Sequence, residues 1–169
     1  MARIRTVKPH TRVKGLDIVL SNLNRVIRRT ENQSLRGLIH AAALIRNETE
    51  RTPPVTPVDL GNLVASWFVV ASRKGLQAGG AAKFEGKKAA ELSRMHENSI
   101  AAAKAVVHKM PRRTPLVIMG YSANYALFVH EMIGATFQRQ GAGPKWLETH
   151  FKRNRGNIIR EVTRYAKIP

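Results

Sequence analysis

The chain has 169 residues, of which 43% are hydrophobic, and it contains no cysteine. This length fits one domain with a real core, because a chain of this size buries roughly 70% of its unfolded surface. The composition excludes a wholly disordered polar chain, and the lack of cysteine excludes disulfides, thiolate zinc sites and a cysteine nucleophile. We expect no membrane association and no secretory signal, because no apolar run approaches about 18 residues and none follows the basic start.

The basic charge is concentrated in three segments. The chain has 29 Lys and Arg against 11 Asp and Glu, a formal net charge of +18. Residues 1–15 carry five bases and no acid, residues 73–113 carry ten and three, and residues 144–169 carry seven and two. The remaining segments, 16–72 and 114–143, carry one net positive charge together. We therefore expect a nearly neutral packed domain with basic stretches that attract polyanions or acidic protein surfaces.

The N-terminal third predicts an arm followed by helix. Residues 1–15 mix bases with isolated apolar residues and show no period, which favours an extended arm. Apolar residues then recur at helical spacing, with a polar interruption near Thr30–Ser34. This pattern predicts one interrupted helix, or two helices, over about 16–50. The helical segment should end at Thr52-Pro53-Pro54, because two prolines cannot continue a helix.

The next segment predicts a tight bend and a strand. Pro57 and Gly61 bracket the bend, and we expect Asp59 to cap one short turn. Gly61 is expected to tolerate replacement poorly, because the chain must turn sharply there. Aromatic and β-branched residues over 66–72 predict a strand. A loop or hairpin rim should follow at three glycines: Gly75, Gly79 and Gly80.

Residues 84–109 are rich in Ala, Lys and Glu and predict an exposed helical insertion. Few large apolar side chains occur in this segment: Leu92, Met95, Ile100, Val106 and Val107. Because this apolar stripe is thin, we expect the helix to need a neighbouring chain to bury it.

The C-terminal half predicts a strand and two more helices. Residues 115–120 form a short apolar run typical of a buried strand, and 124–131 predict a short helix. Glycines over 132–143 predict a mobile loop. Pro144 should open a last helix whose apolar face runs from Trp146 to Tyr165, weakened in the middle by Asn154 and Gly156.

These elements predict an α+β fold. N-terminal amphipathic helices, a small β-sheet of short strands and a C-terminal helix form one domain over 16–169. The extended arm of 1–15 precedes it, and the basic helical insertion at about 73–113 interrupts it.

Sites of chemistry are hard to find in the sequence. His130-Glu131 begins like a zinc-protease motif, but the position four residues after His130 is Gly134 rather than histidine. Ser122 lacks the following glycine of a nucleophile elbow. Glu48 and Glu50 are the only close carboxylates, and they lie on different sides of a helix. We therefore expect no enzyme activity, no metal site and no cofactor.

The aromatic residues have two interpretations. Trp67, Phe68 and Tyr125 could stack on bases, but they occur in the least charged segments, where a core role is more natural. We expect six side chains to be mostly buried within one subunit: Trp67, Phe68, Ile118, Tyr125, Phe128 and Leu147. Trp146 should pack as well, because it shares a helical face with Phe151.

Three stretches in order resemble one protein family. Residues 52–66 are similar to a "P-V-D-x-G-x-L-x-x-S" segment, and residues 117–131 to a "v-x-G-x-x-x-x-Y-A-x-x-v-H/E-x-G" segment. A "k-x-F/W-L" element is matched by residues 144–147. This order resembles the head–tail joining, or tail-completion, proteins of tailed bacteriophages, often labelled minor capsid or tail component. Residues 73–113 depart from the family pattern, where a compact hairpin is usual, and the glycine after His130-Glu131 is delayed to Gly134.

The resemblance implies a structural virion protein at the head–tail junction. It implies a homo-oligomeric ring of six or twelve copies around the DNA channel, assembled in the host cytoplasm and docking the tail to the portal. Its partners would be copies of itself, the portal or connector, tail or tail-terminator proteins and the packaged DNA in the lumen. The residues that carry the motifs are Pro57, Asp59, Gly61, Leu63, Ser66, Gly120, Tyr125, Ala126, His130, Glu131, Trp146 and Leu147.

The alternative is a small basic protein that binds nucleic acid. It predicts exposed aromatic side chains and a strongly salt-dependent affinity for free duplex. Under either interpretation, twelve basic residues are candidates for contact with a polyanion or a protein partner: Arg3, Arg5, Lys8, Arg12, Lys14, Lys87, Lys88, Arg112, Arg113, Lys152, Arg153 and Arg155.

Overall fold

A computed structural model describes residues 16–72, 77–78, 82–111 and 114–167. Six helices and three strands lie in these ranges, in the order α1 Leu16–Arg51, α2 Asn62–Ala65, β1 Trp67–Ala71, β2 Gln77–Ala78, α3 Ala89–Lys109, β3 Val117–Tyr121, α4 Ala126–Glu131, α5 Trp146–Arg153 and α6 Arg155–Ala166. The predicted α+β class is confirmed. The predicted arm, Gly75, Gly79 and Gly80 lie outside the described residues.

Helix α1 is one continuous helix of 36 residues that ends at Arg51, directly before the predicted stop. The interruption expected near residue 30 does not occur: Thr30–Ser34 stay helical, and the Thr30 hydroxyl donates to the Val26 carbonyl (3.1 Å). Helix α6 lies along the second half of α1. The two backbones meet at Gly37, where an added Cβ would lie 2.7 Å from the Val162 Cα.

The three strands form one antiparallel sheet in the order β2-β1-β3. Phe68 stands opposite Gly120, and Val70 stands opposite Ile118 on one side and Gln77 on the other. The central strand β1 is buried from Phe68 onward. Strand β3 was expected to be buried but is half-buried along its length, because it forms an edge of the sheet.

Helix α3 is part of the core, which corrects the prediction of an exposed insertion that needs a neighbour. Its buried face pairs Ile100, Ala103 and Val107 with Phe68 and Val70 of β1. The sequence suggested too thin a stripe because two of the five inward-facing positions, His96 and Ala103, are polar or small. The face consists of Leu92, His96, Ile100, Ala103 and Val107, whereas Val106 is exposed and Met95 half-buried.

The bend before β1 is built on Gly61 rather than on Asp59. Gly61 occupies the N-cap position of α2 with φ of 79°, a left-handed conformation that favours glycine. No side chain caps α2, so the predicted role of Asp59 as N-cap is wrong. The backbone conformation makes the turn there without a capping side chain.

The last predicted helix is two helices, α5 and α6, that meet at Asn154. Asn154 is buried, and its side-chain amide donates to the His150 carbonyl (3.2 Å) while its Oδ1 accepts from Asn157 (3.0 Å). Backbone hydrogen bonds from the Asn154 N–H to the His150 carbonyl and from the Ile158 N–H to the Asn154 carbonyl (2.9 Å each) still span the junction, so the helix is interrupted at this one residue.

The prediction that six large side chains are mostly buried is partly wrong. Phe68 is buried as expected, and Trp67, Ile118 and Leu147 are half-buried. Tyr125 and Phe128, however, are 36% and 67% exposed. Helix α4 has only six residues, and Ala126 is the residue it buries. Its large side chains therefore remain outside. Trp146 is only 1% exposed, whereas Phe151 on the same predicted face is 41% exposed.

Candidate functional site

The three stretches that carry the motif residues meet in one buried cluster. Leu63 after the bend, Ala126 at the start of α4 and Trp146 at the start of α5 pack together with Ala123 and with Leu92 of α3. These residues are up to 83 positions apart in the sequence. The order of motifs thus corresponds to one packing centre, and Leu147 packs against its edge.

Trp146 is the largest side chain of this cluster and is held by two rings. Tyr121 meets it edge to face at a centroid distance of 6.0 Å, and His130 does so at 4.7 Å. His130 Nδ1 donates to Glu131 (2.8 Å), and its Nε2 accepts from the Glu148 backbone N–H (3.4 Å). The motif histidine therefore orients helices α4 and α5 against each other.

Ser66, the last residue of the first motif, joins the bend to β3 and α3. Its carbonyl accepts from the backbone N–H and the hydroxyl of Ser122 (2.9 and 3.1 Å). Ser122 Oγ also lies 2.7 Å from His96 Nδ1. The Ser122 hydroxyl thus lies within hydrogen-bond distance of both the Ser66 carbonyl and His96 Nδ1. This buried serine–histidine pair links α3 to the bend before β1.

Tyr121 and Arg46 form a polar hub on the other side of the cluster. The Tyr121 hydroxyl lies 3.1 Å from each of Arg46 Nη1, Thr49 Oγ1 and Thr56 Oγ1. The Arg46 guanidinium also lies over the Trp67 ring, 5.2 Å from its centroid.

Glu50 connects this hub to the loop that precedes α5. Its carboxylate pairs with Arg46 (2.9 Å) and with Arg139 (3.2 Å). Arg139 also donates to the carbonyls of Glu50 (2.7 Å) and Thr56 (3.1 Å). Arg46 and Arg139 therefore both hold the bend and the loop in place.

The other motif residues have positional roles. Pro57 is buried beside the bend, and it lines a groove near α4 together with Asp59 and Leu63. Gly120 lies under the Phe68 ring, where an added Cβ would contact it at 3.6 Å. This contact is ordinary packing distance, so Gly120 is not sterically required.

The outer face of α4 is apolar and exposed. Tyr125, Leu127, Phe128 and Glu131 point away from the buried Ala126. A groove of about 480 Å³ borders the Tyr125 side, and a cavity of about 290 Å³ borders the Leu127 side. Partial burial raises the pKa of the Tyr125 phenol, and the nearby Asp59 carboxylate raises it further.

The charged residues at the edge of α4 are paired. Hydrogen bonds from Lys145 and His130 lower the pKa of Glu131. Lys145 also pairs with Glu148 (3.4 Å), and its hydrogen bond to Glu131 raises the pKa of the ammonium. Lys145 adopts a φ of 57°, so the turn before α5 places its side chain between the two carboxylates.

The five basic candidates within the described residues lie in two places. Lys87 and Lys88 lie on the rim of the groove beside α4, and Lys152, Arg153 and Arg155 lie around the junction of α5 and α6. Lys152 pairs with Glu148, and Arg153 donates to the Pro53 carbonyl (3.0 Å). The remaining candidates lie outside the described residues: Arg3, Arg5, Lys8, Arg12, Lys14, Arg112 and Arg113.

Sequence reasoning missed the residues that join the elements. His96, Arg46, Arg139 and His150 carried no motif, although His96 and His150 are fully buried. His150 Nε2 donates to the Pro54 carbonyl (3.1 Å), and this bond connects α5 to the proline segment that follows α1. The available signal was helical register: His96 lies four residues from both Leu92 and Ile100, and His150 four residues after Trp146.

Within the described ranges, no three His, Asp or Glu side chains are grouped so that they could hold a metal ion. None of the helices in the described part of the chain is long and apolar enough to cross a membrane. No family model, no curated protein and no solved structure matches the chain.

Proposed function

We propose that the protein is a structural component of a tailed-phage virion, which forms a ring at the head–tail junction around the DNA channel. In this role it extends the conduit from the portal and docks the tail. The proposal assigns no reaction to the chain. It rests on the family resemblance of the three sequence stretches and on what they build.

The observation that carries the proposal is the convergence of those stretches. Leu63, Ala126 and Trp146 meet in one cluster, and His130 and Ser66 hydrogen-bond across the elements around it. Such motif residues specify a fold and leave the surface free for partners. Ser66, Ser122, Tyr121 and His130 bond to neighbouring groups around this centre, although the buried Trp146 Nε1 has no hydrogen-bond partner in the described part of the chain. This bonding supports a scaffold better than a site of chemistry.

The test is genetic inactivation of the gene in the phage that encodes the chain. We expect lysates with DNA-filled heads and separate tails, and purified protein added to such a lysate should restore joined, infectious particles. Trp146→Ala protein should fail to restore them, because it opens a cavity where the three stretches meet. Normal tailed particles without the protein would contradict the proposal.

The second candidate function is binding of nucleic acid, and the exposed Tyr125 and Phe128 are the observation in its favour. Aromatic side chains that stack on bases normally lie in a positively charged groove. Here, residues 52–66 and 114–138 contribute two carboxylates and neither Lys nor Arg, and in the groove beside Tyr125 the charges of Lys87 and Lys88 are balanced by Asp59 and Glu85. The rings therefore do not lie in a positively charged groove, which favours a protein partner over nucleic acid.

A gel-shift titration separates the two functions. If the protein bound DNA through α4, its affinity for a single-stranded oligonucleotide would fall at least tenfold in the double variant Tyr125→Ala, Phe128→Ala. We expect the wild type and this variant to show the same weak, salt-sensitive affinity, which comes from the net charge alone. A selective loss in the variant would establish the nucleic-acid function instead.

A further inference from the structure

The first half of α1 carries an apolar stripe that the rest of the described chain leaves uncovered. The stripe consists of Val19, Leu20, Leu23 and Val26, which recur at helical spacing and are all exposed. We call these four residues the α1 stripe. Helix α6 covers only the later part of α1, from about Gly37 onward. The stripe thus presents about two turns of apolar helix to the surroundings.

A second uncovered apolar surface lies on and beside α4. It consists of Leu60, Tyr125, Leu127, Phe128 and Ile133, each exposed by a third or more. We call these five residues the α4 face. The groove of about 480 Å³ and the cavity of about 290 Å³ lie on its two sides, so the helix forms a ridge between two depressions. Contiguous exposed apolar surfaces with such relief are typical of interaction sites.

The two surfaces differ in charge. Residues 16–30, which hold the α1 stripe, carry three bases and one acid. The segments that supply the α4 face, 52–66 and 114–138, carry Asp59 and Glu131 and no base. Lys87, Lys88 and Glu85 also line the groove, and Lys145 is shared by Glu131 and Glu148. The segments that form the α4 face are therefore acidic, whereas the α1 stripe lies in a basic segment.

We propose that the α1 stripe of one copy docks on the α4 face of the next copy. Each copy carries both surfaces, so the contact is head-to-tail and can repeat from copy to copy until a ring closes. This inference rests on the proposed ring and names the surfaces that join its subunits.

Charge decides against the simpler arrangement in which two α1 stripes pair with each other. That arrangement brings together two copies of residues 16–30, each with three bases against one acid. Docking on the α4 face instead places a basic segment near Asp59, which has no ion-pair partner in the part of the chain that the structure describes. Complementary charge of this kind steers association and fixes which surfaces meet.

Crosslinking of single-cysteine variants tests the contact, and the chain favours it because it has no cysteine of its own. We would make Leu23→Cys and Phe128→Cys in the full chain and treat each alone, and then an equimolar mixture, with a bismaleimide. The mixture should give covalent dimers at least tenfold more abundantly than either variant alone. Both positions are exposed, so neither substitution should disturb folding.

The matched control is Ile159→Cys, which places a thiol on an exposed apolar residue of α6. Its mixture with Leu23→Cys should crosslink no more than the single variants. Dimers of Leu23→Cys alone at the level of the mixture would overturn the proposal in favour of paired α1 stripes. Equal crosslinking in the control mixture, or none in any mixture, would overturn it as well.

A second measurement follows assembly when one of the two surfaces is disrupted. In native mass spectrometry, Leu23→Glu and Phe128→Glu should each remain monomeric, and their mixture should form only 1:1 dimers, since one good stripe and one good face remain. Assembly of either variant beyond the dimer would overturn the head-to-tail contact. If the protein sits at the virion neck but these variants assemble normally, only the contact is wrong; if the contact is found but the protein is absent from virions, only the proposed function is wrong.

Discussion

Two glycines within helices differ in the space around them: Gly37 is crowded and Gly156 is open. An added Cβ at Gly37 of α1 would lie 2.7 Å from the Val162 Cα and 3.2 Å from its carbonyl oxygen, whereas at Gly156 of α6 nothing lies within 4 Å. Gly37→Ala should therefore lower the free energy of unfolding by about 1–3 kcal/mol, because backbone must move. Gly156→Ala should raise it by roughly 0.5–1 kcal/mol through helix propensity. Urea denaturation gives the free energy of unfolding of both variants. A stabilising Gly37→Ala would mean that α6 does not approach α1 so closely.

Tyr125 makes the surroundings of the α4 face measurable. Its phenol has a raised pKa, first through partial burial and second through Asp59. The unfolded phenol ionises near 10, so the folded protein holds the proton to higher pH, and stability should fall as the pH rises above about 10. The tyrosinate absorbance lost in Tyr125→Phe identifies this residue's titration. Asp59→Asn should move the midpoint down, towards the ordinary value; an unchanged midpoint would show that Asp59 lies too far away to act.

The difference between Trp146 and Phe128 shows why single side chains are hard to place from sequence. Both are aromatic residues, and burial was predicted for each. Trp146 begins a helix that packs on Tyr121 and His130, which come from other elements. Phe128 lies on a helix of six residues whose inward position is taken by Ala126. A helix this short has no long-range periodicity that could reveal its buried side.

At the scale of elements, α1, β1, β3 and α4 could be predicted because each has a strong local pattern or a clear stop. The break at Asn154 and the burial of α3 could not, since both depend on partners distant in the chain. In α3, the inward positions include His96 and Ala103, and a count of large apolar side chains overlooks them. His96 is buried because Ser122 of a different element supplies its hydrogen bond.

The place of α3 in the core leads to a stability test. Ile100→Ala should cost about 2–5 kcal/mol, because Ile100 is buried against Phe68 and Val70. Val106→Ala is the matched control on the same helix and should change stability by less than about 0.5 kcal/mol, because Val106 is 44% exposed. Thermal denaturation of the two variants at low protein concentration compares them. Small and equal effects of the two substitutions would show that α3 is an exposed insertion and not part of the core.

At the scale of the whole molecule, the charge constrains how a ring could assemble. Six copies at +18 each would carry roughly +100, and like charges repel. Anionic neighbours must offset this charge, and DNA that leaves through a conduit should not be gripped by many phosphate contacts. We therefore predict that most bases in 1–15 and 73–113 meet protein partners or solvent. A reconstruction of the neck checks this by the number of lumen-facing Lys and Arg, and a majority pointing into the channel would indicate a DNA-holding role.

The location of the protein in the virion tests the central claim most directly. A copy carrying a C-terminal affinity tag, produced in place of the wild-type protein during infection, can be marked with gold and viewed by electron microscopy. We predict label at the junction between head and tail, with six or twelve copies per particle by quantitative mass spectrometry. Label along the tail or over the capsid, or virions that lack the protein, would contradict the proposed role.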